Sequence, residues 1–275
     1  MAIKIIASDL DGTLMAPDHL TVTERTKNAL IEAHNKGVKF AVATGRALSL
    51  TRGVTNQVPF ADYVICSNGA SVYDRNNKNF IYTNLVSPDV TYQAVELLNT
   101  LPVYYNIYMD GAIYSQKGTD RYFLIKGLPS DFMDEFSSIL IEADDLASVV
   151  KGKGAELIDV FYGDNIELKK TIFDFFEANG LVLTSALAGV VSATAVGADK
   201  GTALGGLCEI LGIKSDEAMS FGDASNDSTM LEYAYYSFAM ENGDEICKLS
   251  ARFSAPSNAD DGVAQMIEKY ALKGE

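Results

Sequence analysis

Tryptophan is absent from these 275 residues, histidine occurs twice and cysteine three times. Without Trp the chain has no indole platform for stacking a sugar ring. Cys66, Cys208 and Cys247 show no Cys-x-x-Cys spacing and are odd in number. Neither a disulfide framework nor a thiolate zinc site is expected, and each thiol reads as a small core residue. His19 and His34, one in a loop and one on a helix, have no nucleophile nearby in sequence and read as surface residues. Cations are scarce: 22 Lys plus Arg stand against 37 Asp plus Glu, for a formal charge of −15. That balance argues against nucleic acid as partner, because neutralising a phosphate backbone takes clustered cations. Long apolar runs are missing as well. Residues 3–7 are too few for the apolar region of a signal peptide. The uncharged stretch 178–198 is broken by Gly180, Gly189 and Gly197 and by several hydroxyls, which predicts two short strands around a turn, with no membrane span. These exclusions leave a cytoplasmic enzyme as the expectation.

What is present is a 48% hydrophobic chain, enough for a sizeable core, and long enough for two domains or for one carrying an insert. An apolar strand at 4–8 precedes a helix announced by the capping-box spacing of Thr21-Val22-Thr23-Glu24 and closed by Gly37. A strand at 38–43, a helix from Ala47 and a strand at 63–66 follow. This βαβαβ order implies parallel strands, since only a crossover returns the chain to the same edge of a sheet. Hairpin signals come next: Asn76-Asn77 between two Tyr-containing runs, and Asp110-Gly111 between 104–109 and 112–115. Helices are expected at 88–99 and 166–178, with a strand at 157–161 before the second. From Asp199 the first style returns, with helices at 199–211, 227–233 and 262–270 and strands at 218–221 and 237–240. The fold class expected is therefore α/β, a parallel-sheet core formed by 1–84 and 188–275 and interrupted by an α+β domain at 85–187. No internal repeat or low-complexity segment is visible.

Ligands of open parallel sheets bind beyond the carboxyl ends of the strands, so the residues after each core strand belong together. They are Asp9 and Asp11; Thr44, Gly45 and Arg46; Asn68 and Gly69; and Gly222 through Asp227. Converging anions repel one another unless a cation sits among them. Oxygen donors without His or Cys select a hard metal, and Mg²⁺ suits few carboxylates plus a substrate phosphate. A carboxylate beside such a metal can attack phosphorus, while a second acid two residues on protonates the leaving oxygen and later takes a proton from water.

The order DLDGT, ATGR, NGA, DKG before a helix, GDASND and DDGVA resembles the haloacid dehalogenase superfamily. More narrowly it is similar to the Cof-like sugar-phosphate phosphatases, whose Rossmann-like core carries a type 2 α/β cap after the third strand. The resemblance implies Asp9 as nucleophile and metal ligand, and Asp11 as general acid/base that also offers its main-chain carbonyl to Mg²⁺. Gly12 would permit the tight loop, Thr44 would hydrogen-bond the transferred phosphoryl group, and Lys200 would neutralise its charge. Asp223 and Asp227 would complete the metal site, Asp227 by ligation or by orienting the ligands. Gly45, Arg46, Asn68, Gly69 and Asn226 are implied contacts to phosphate or substrate, and the substrate would be a small phosphorylated metabolite.

Residues 192–198, before Lys200, lack the acidic and proline residues that many relatives carry, and Gly243 stands where alanine is common. Both departures bear on substrate preference more than on reaction type. The insert is long enough to serve as a lid, and its tyrosines read as packing against their own helices. A phosphomutase, a carbon–halogen hydrolase and a non-catalytic binding module remain alternatives at this level, and oligomeric state is silent.

Overall fold

A computed structural model describes residues 2–123, 130–185 and 188–273. Among them the strands are β1 (Ile5–Ser8), β2 (Lys39–Ala43), β3 (Tyr63–Cys66), β4 (Ser71–Asp74), β5 (Asn79–Thr83), β6 (Tyr104–Met109), β7 (Ala112–Gln116), β8 (Leu140–Ala143), β9 (Leu157–Phe161), β10 (Val182–Thr184), β11 (Val190–Thr194), β12 (Ala218–Gly222), β13 (Tyr236–Met240) and β14 (Phe253–Ala255). The α-helices are α1 (Glu24–Asn35), α2 (Arg52–Thr55), α3 (Pro88–Asn99), α4 (Ser130–Ile139), α5 (Leu146–Val150), α6 (Ile166–Ala178), α7 (Lys200–Leu211), α8 (Ser228–Tyr233), α9 (Glu245–Ser250) and α10 (Gly262–Met266). No helix among the described residues is long and apolar enough to cross a membrane.

The chain divides into two compact units, residues 1–46, 51–83 and 199–275 on one side and residues 47–50 and 84–198 on the other. Residue 187, where the insert was expected to end, lies outside the described residues. Residues 188–198 go with the insert and not with the core as expected, because β11 pairs antiparallel with both β9 and β10.

The first unit is built on an eight-stranded sheet in the order β14-β13-β12-β1-β2-β3-β4-β5. β14 through β3 run parallel, and β4 and β5 fold back as an antiparallel hairpin. β1 is buried at every position, and Ile5-Ile6-Ala7 forms a continuous apolar stretch before the buried Ser8, as suits a strand covered on both faces. Thr23 caps α1 by accepting from the Thr26 N–H, so the helix begins two residues later than the Thr21 spacing suggested. The helix expected from Ala47 is a 3₁₀ turn at Leu48–Thr51 followed by the single turn of α2.

The second unit holds a six-stranded sheet, order β10-β11-β9-β6-β7-β8. Tyr105, Ile107, Ile158, Val160, Val191 and Ala193 share a buried core with residues of α3, α5 and α6. Alternation sends Tyr104, Asn106 and Tyr108 to the opposite face. The Asp110-Gly111 turn joins β6 to β7 as expected, with both residues at positive φ.

Candidate active site

β1 lies between β12 and β2, with Ser8 level with Phe221 on one side and Val42 on the other. The residues that follow leave the sheet together: Asp9 after Ser8, Thr44 after Ala43, Asp223 after Gly222. Backbone bonds fix their height, Asp9 N–H donating to Phe221 O at 3.0 Å and Thr44 N–H to Ile65 O at 2.8 Å. This is the switch point of the sheet, where flanking connections diverge and leave a crevice.

Lys200 reaches the same place from the first turn of α7, where Asp199 caps the helix by accepting from the Thr202 N–H. Its Nζ donates to Asp9 Oδ1 and to Asp227 Oδ1, both at 2.6 Å, and the side chain is wholly buried. Burial opposes the ammonium, but the carboxylates of Asp227 and Asp9 outweigh it and hold its pKa above the usual lysine value. Two carboxylates face one ammonium, so one negative charge is left over. Burial, the Asp227 carboxylate and Asp223 together outweigh Lys200 at Asp9, whose pKa is pushed up to about 8. Asp223 is raised too, by burial first and by Asp227, against the pull of its hydrogen bond from Thr13.

Asp227 was expected among the metal ligands. Its Oδ2 accepts from the N–H groups of Asp223 and Ala224, at 3.0 and 3.1 Å, and its Oδ1 from Lys200. Three of its acceptor positions are thus committed to the lysine and to the loop it belongs to. Thr13 Oγ1 donates to Asp223 Oδ1 at 2.7 Å. Sequence reading passed over Thr13, although it stands inside the DGT motif.

The turn at Leu10–Leu14 is a single π turn interrupted at Asp11 and Gly12. Gly12 has φ +80°, and a Cβ there would lie 2.3 Å from Asp223 Oδ2, so both conformation and space require glycine. The Asp11 carboxylate lies outside the cluster around Lys200. Arg46 grips it with two bonds, Nε to Oδ2 at 3.0 Å and Nη2 to Oδ1 at 2.7 Å. His19, read from sequence as a surface residue without a role, is indeed exposed, yet its Nδ1 stands 3.6 Å from Asp11 Oδ1. No sequence signal could have found that pairing, since it depends on how the loop after the π turn folds back at His19, which has positive φ.

Thr44 is buried, and its Oγ1 accepts from the Arg46 N–H at 3.1 Å, which leaves its hydroxyl hydrogen to donate. Asn226 Nδ2 donates to Asn68 Oδ1 at 3.1 Å. Gly45 lies against the same amide, a Cβ there falling 2.9 Å from Asn68 Oδ1. Gly69, at φ +95°, packs so tightly on α7 that a Cβ would come within 2.1 Å of Asp199 O.

One carboxylate oxygen each from Asp9, Asp223 and Asp227 lie within 4.8 Å of one another. The set offers only oxygen, its charge exceeds that of the one ammonium present, and two of its members have raised pKa values. A hard divalent cation fits all three observations.

The family model described as haloacid dehalogenase-like hydrolase matches residues 6–267. A 5-amino-6-(5-phospho-D-ribitylamino)uracil phosphatase, YcsE of Bacillus subtilis, is 27% identical over 275 residues, covering 98% of this chain and 96% of its own. A putative phosphatase of Buchnera aphidicola subsp. Baizongia pistaciae is 30% identical over 281 residues, covering 98% of each chain. Among solved structures, a haloacid dehalogenase-like hydrolase from Bacteroides thetaiotaomicron superposes with a TM-score of 0.82 at 23% identity, covering 97% of this chain and 99% of that one. Another from B. subtilis gives 0.78 at 26%, with the same coverage.

Proposed function

We propose that this chain, which belongs to the haloacid dehalogenase-like hydrolases, is a Mg²⁺-dependent phosphatase that hydrolyses small phosphorylated metabolites through an aspartyl-phosphate intermediate. It is a phosphoric monoester hydrolase by its family and by the phosphatases it resembles over nearly its whole length. The observation that carries the reading is the meeting of Asp9, Asp223 and Asp227 with Lys200 at the carboxyl ends of the core strands.

Mg²⁺ would be held by the carboxylates of Asp9 and Asp223 and by the main-chain carbonyl of Asp11, and when bound it neutralises part of the phosphate charge. The Lys200 bond occupies Asp9 Oδ1, which supports Oδ2 as the oxygen free to attack phosphorus. A bond forms between Asp9 and phosphorus as the bond to the alcohol oxygen breaks. Asp11 gives that departing oxygen a proton, then takes one from the water that cleaves the acyl phosphate. Thr44 donates its free hydroxyl hydrogen to a phosphoryl oxygen, and Lys200 offsets charge on Asp9 and on the transferred group. Asp227 keeps Lys200 in place. Arg46, Asn68 and Asn226 fit contacts to the substrate, with Arg46 also orienting Asp11.

Asp9→Asn is the deciding experiment. Release of phosphate from a generic phosphomonoester should vanish in a protein with an unchanged melting profile, and turnover at the wild-type rate ends the proposal. Wild-type turnover that ignores EDTA would move the reading to metal-free hydrolysis on the same core.

A further inference from the structure

The π turn that carries Asp11 satisfies only part of itself. Leu14 N–H donates to Asp9 O at 3.2 Å and Met15 N–H to Leu10 O at 2.9 Å. The carbonyls of Gly12 and Met15 bond elsewhere. Asn242 Nδ2 donates to Gly12 O at 2.8 Å, and Asn258 Nδ2 donates to Met15 O at 2.9 Å. The two amides are joined, since Asn258 N–H donates to Asn242 Oδ1 at 3.1 Å. Asn242 therefore uses both ends of its side chain, which fixes its orientation. Its own loop is tied to the other acid-bearing loop: Asp244 N–H donates to Asp223 O at 2.8 Å. Gly243 sits so close that a Cβ would lie 2.8 Å from Asp223 O. This close approach gives a reason for glycine at a position where alanine is common in the family it resembles.

We infer that Asn242 and Asn258 are positioning residues: together they clamp the Asp11 turn to the Asp223 loop and set where the Asp11 carboxyl meets the leaving oxygen. The inference rests on the phosphatase reading, because it concerns delivery of a proton to the departing alcohol. Freed from Asn242, the Gly12–Thr13 peptide can rotate. Asp11 lies one residue before that peptide, and Thr13, which holds Asp223, supplies its N–H. Both acids lose their reference to each other.

The consequence is selective. An acidic leaving group departs with little help from a proton donor, whereas an aliphatic alcohol needs one. The parameter kcat/KM covers only the steps up to that departure, so it isolates proton delivery from the later hydrolysis of the acyl phosphate. Asn242 is exposed, so Asn242→Ala should leave the melting temperature within about 2 °C of wild type. For glycerol 2-phosphate its kcat/KM should fall about tenfold, and for 4-nitrophenyl phosphate less than about threefold. Asn258→Ala should reproduce the pattern, and the double variant should be no worse than the poorer single one, as for two members of one device. Equal losses on the two esters, no loss on either, or additive losses in the double variant overturn the inference while leaving the phosphatase reading intact. Wild-type protein that releases phosphate from neither ester with Mg²⁺ overturns both.

Discussion

Lys200 donates to Asp9 at 2.6 Å across a separation of 191 residues in the chain, and it does so with no exposed surface of its own. A buried ammonium is tolerable only because two carboxylates surround it, and the converse holds for them.

Lys200→Met should therefore cost about 3–5 kcal/mol of stability, the penalty for leaving buried charges without their partner. Urea unfolding measures it, and turnover should be lost as well. An unchanged urea midpoint would mean that the lysine is not what holds the two acids together.

In the proposed site, metal and pH would be linked through Asp9. In metal-free protein the unfolded chain loses the Asp9 proton near the ordinary value of 3.8, while the folded chain keeps it to about 8. Between those limits the folded state holds more protons than the unfolded one, so stability falls as pH rises from about 4 to about 8. Mg²⁺ favours the ionised form and should flatten that fall. At pH 7.5 the ion should raise the melting temperature of wild type and do little for Asp223→Asn. A melting curve in EDTA that is indifferent to pH across this window would contradict the charge balance described for the site.

Arg46→Lys keeps the charge but loses the two-pronged grip on Asp11. The pair is partly exposed, so stability should change by less than about 1 kcal/mol. Turnover should drop roughly tenfold, as expected when an acid is misplaced by a fraction of an ångström. Steady-state rates at saturating substrate test it, and wild-type kcat would show that Arg46 does not orient Asp11.

Gly69→Ala and Gly37→Ala form a matched pair. Both glycines have positive φ, but nothing lies within 4 Å of a Cβ at Gly37, whereas at Gly69 the carbonyl of Asp199 is 2.1 Å away. The first change should cost only the backbone penalty of about 1–2 kcal/mol. The second should add a clash that pushes on the first turn of α7, lowering the melting temperature further and displacing Lys200. Equal melting shifts for the two would show that the α7 contact yields without cost.

The strand ends were legible because a short apolar run followed by acids has few other readings. Asp9, Thr44 and Asp223 could be placed at one edge of a sheet from order alone, whereas Lys200, at the start of a helix, came only from the family resemblance. The π turn at Leu10–Leu14 could not, since its form depends on Asn242 and Asn258, which lie more than 200 residues away in the chain. The short elements were also missed. α9 is six residues long and β14 three, below the length at which periodicity says anything. The bonds of Asp227 were hidden for a related reason: its backbone partners belong to its own loop, and only the folded turn shows that they are within reach.

β1 sits between β2, which is made early, and β12, which is made late. During synthesis, with the chain growing at about 5–20 residues per second, Asp9 waits roughly 10–40 s for Lys200 to be added. Throughout that interval an acid meant for a closed, lysine-lined crevice stands at the end of a strand with one neighbour missing. On the proposed mechanism a chain that stops before Lys200 would be inert, and the edge of β1 that β12 covers would stand open to pairing.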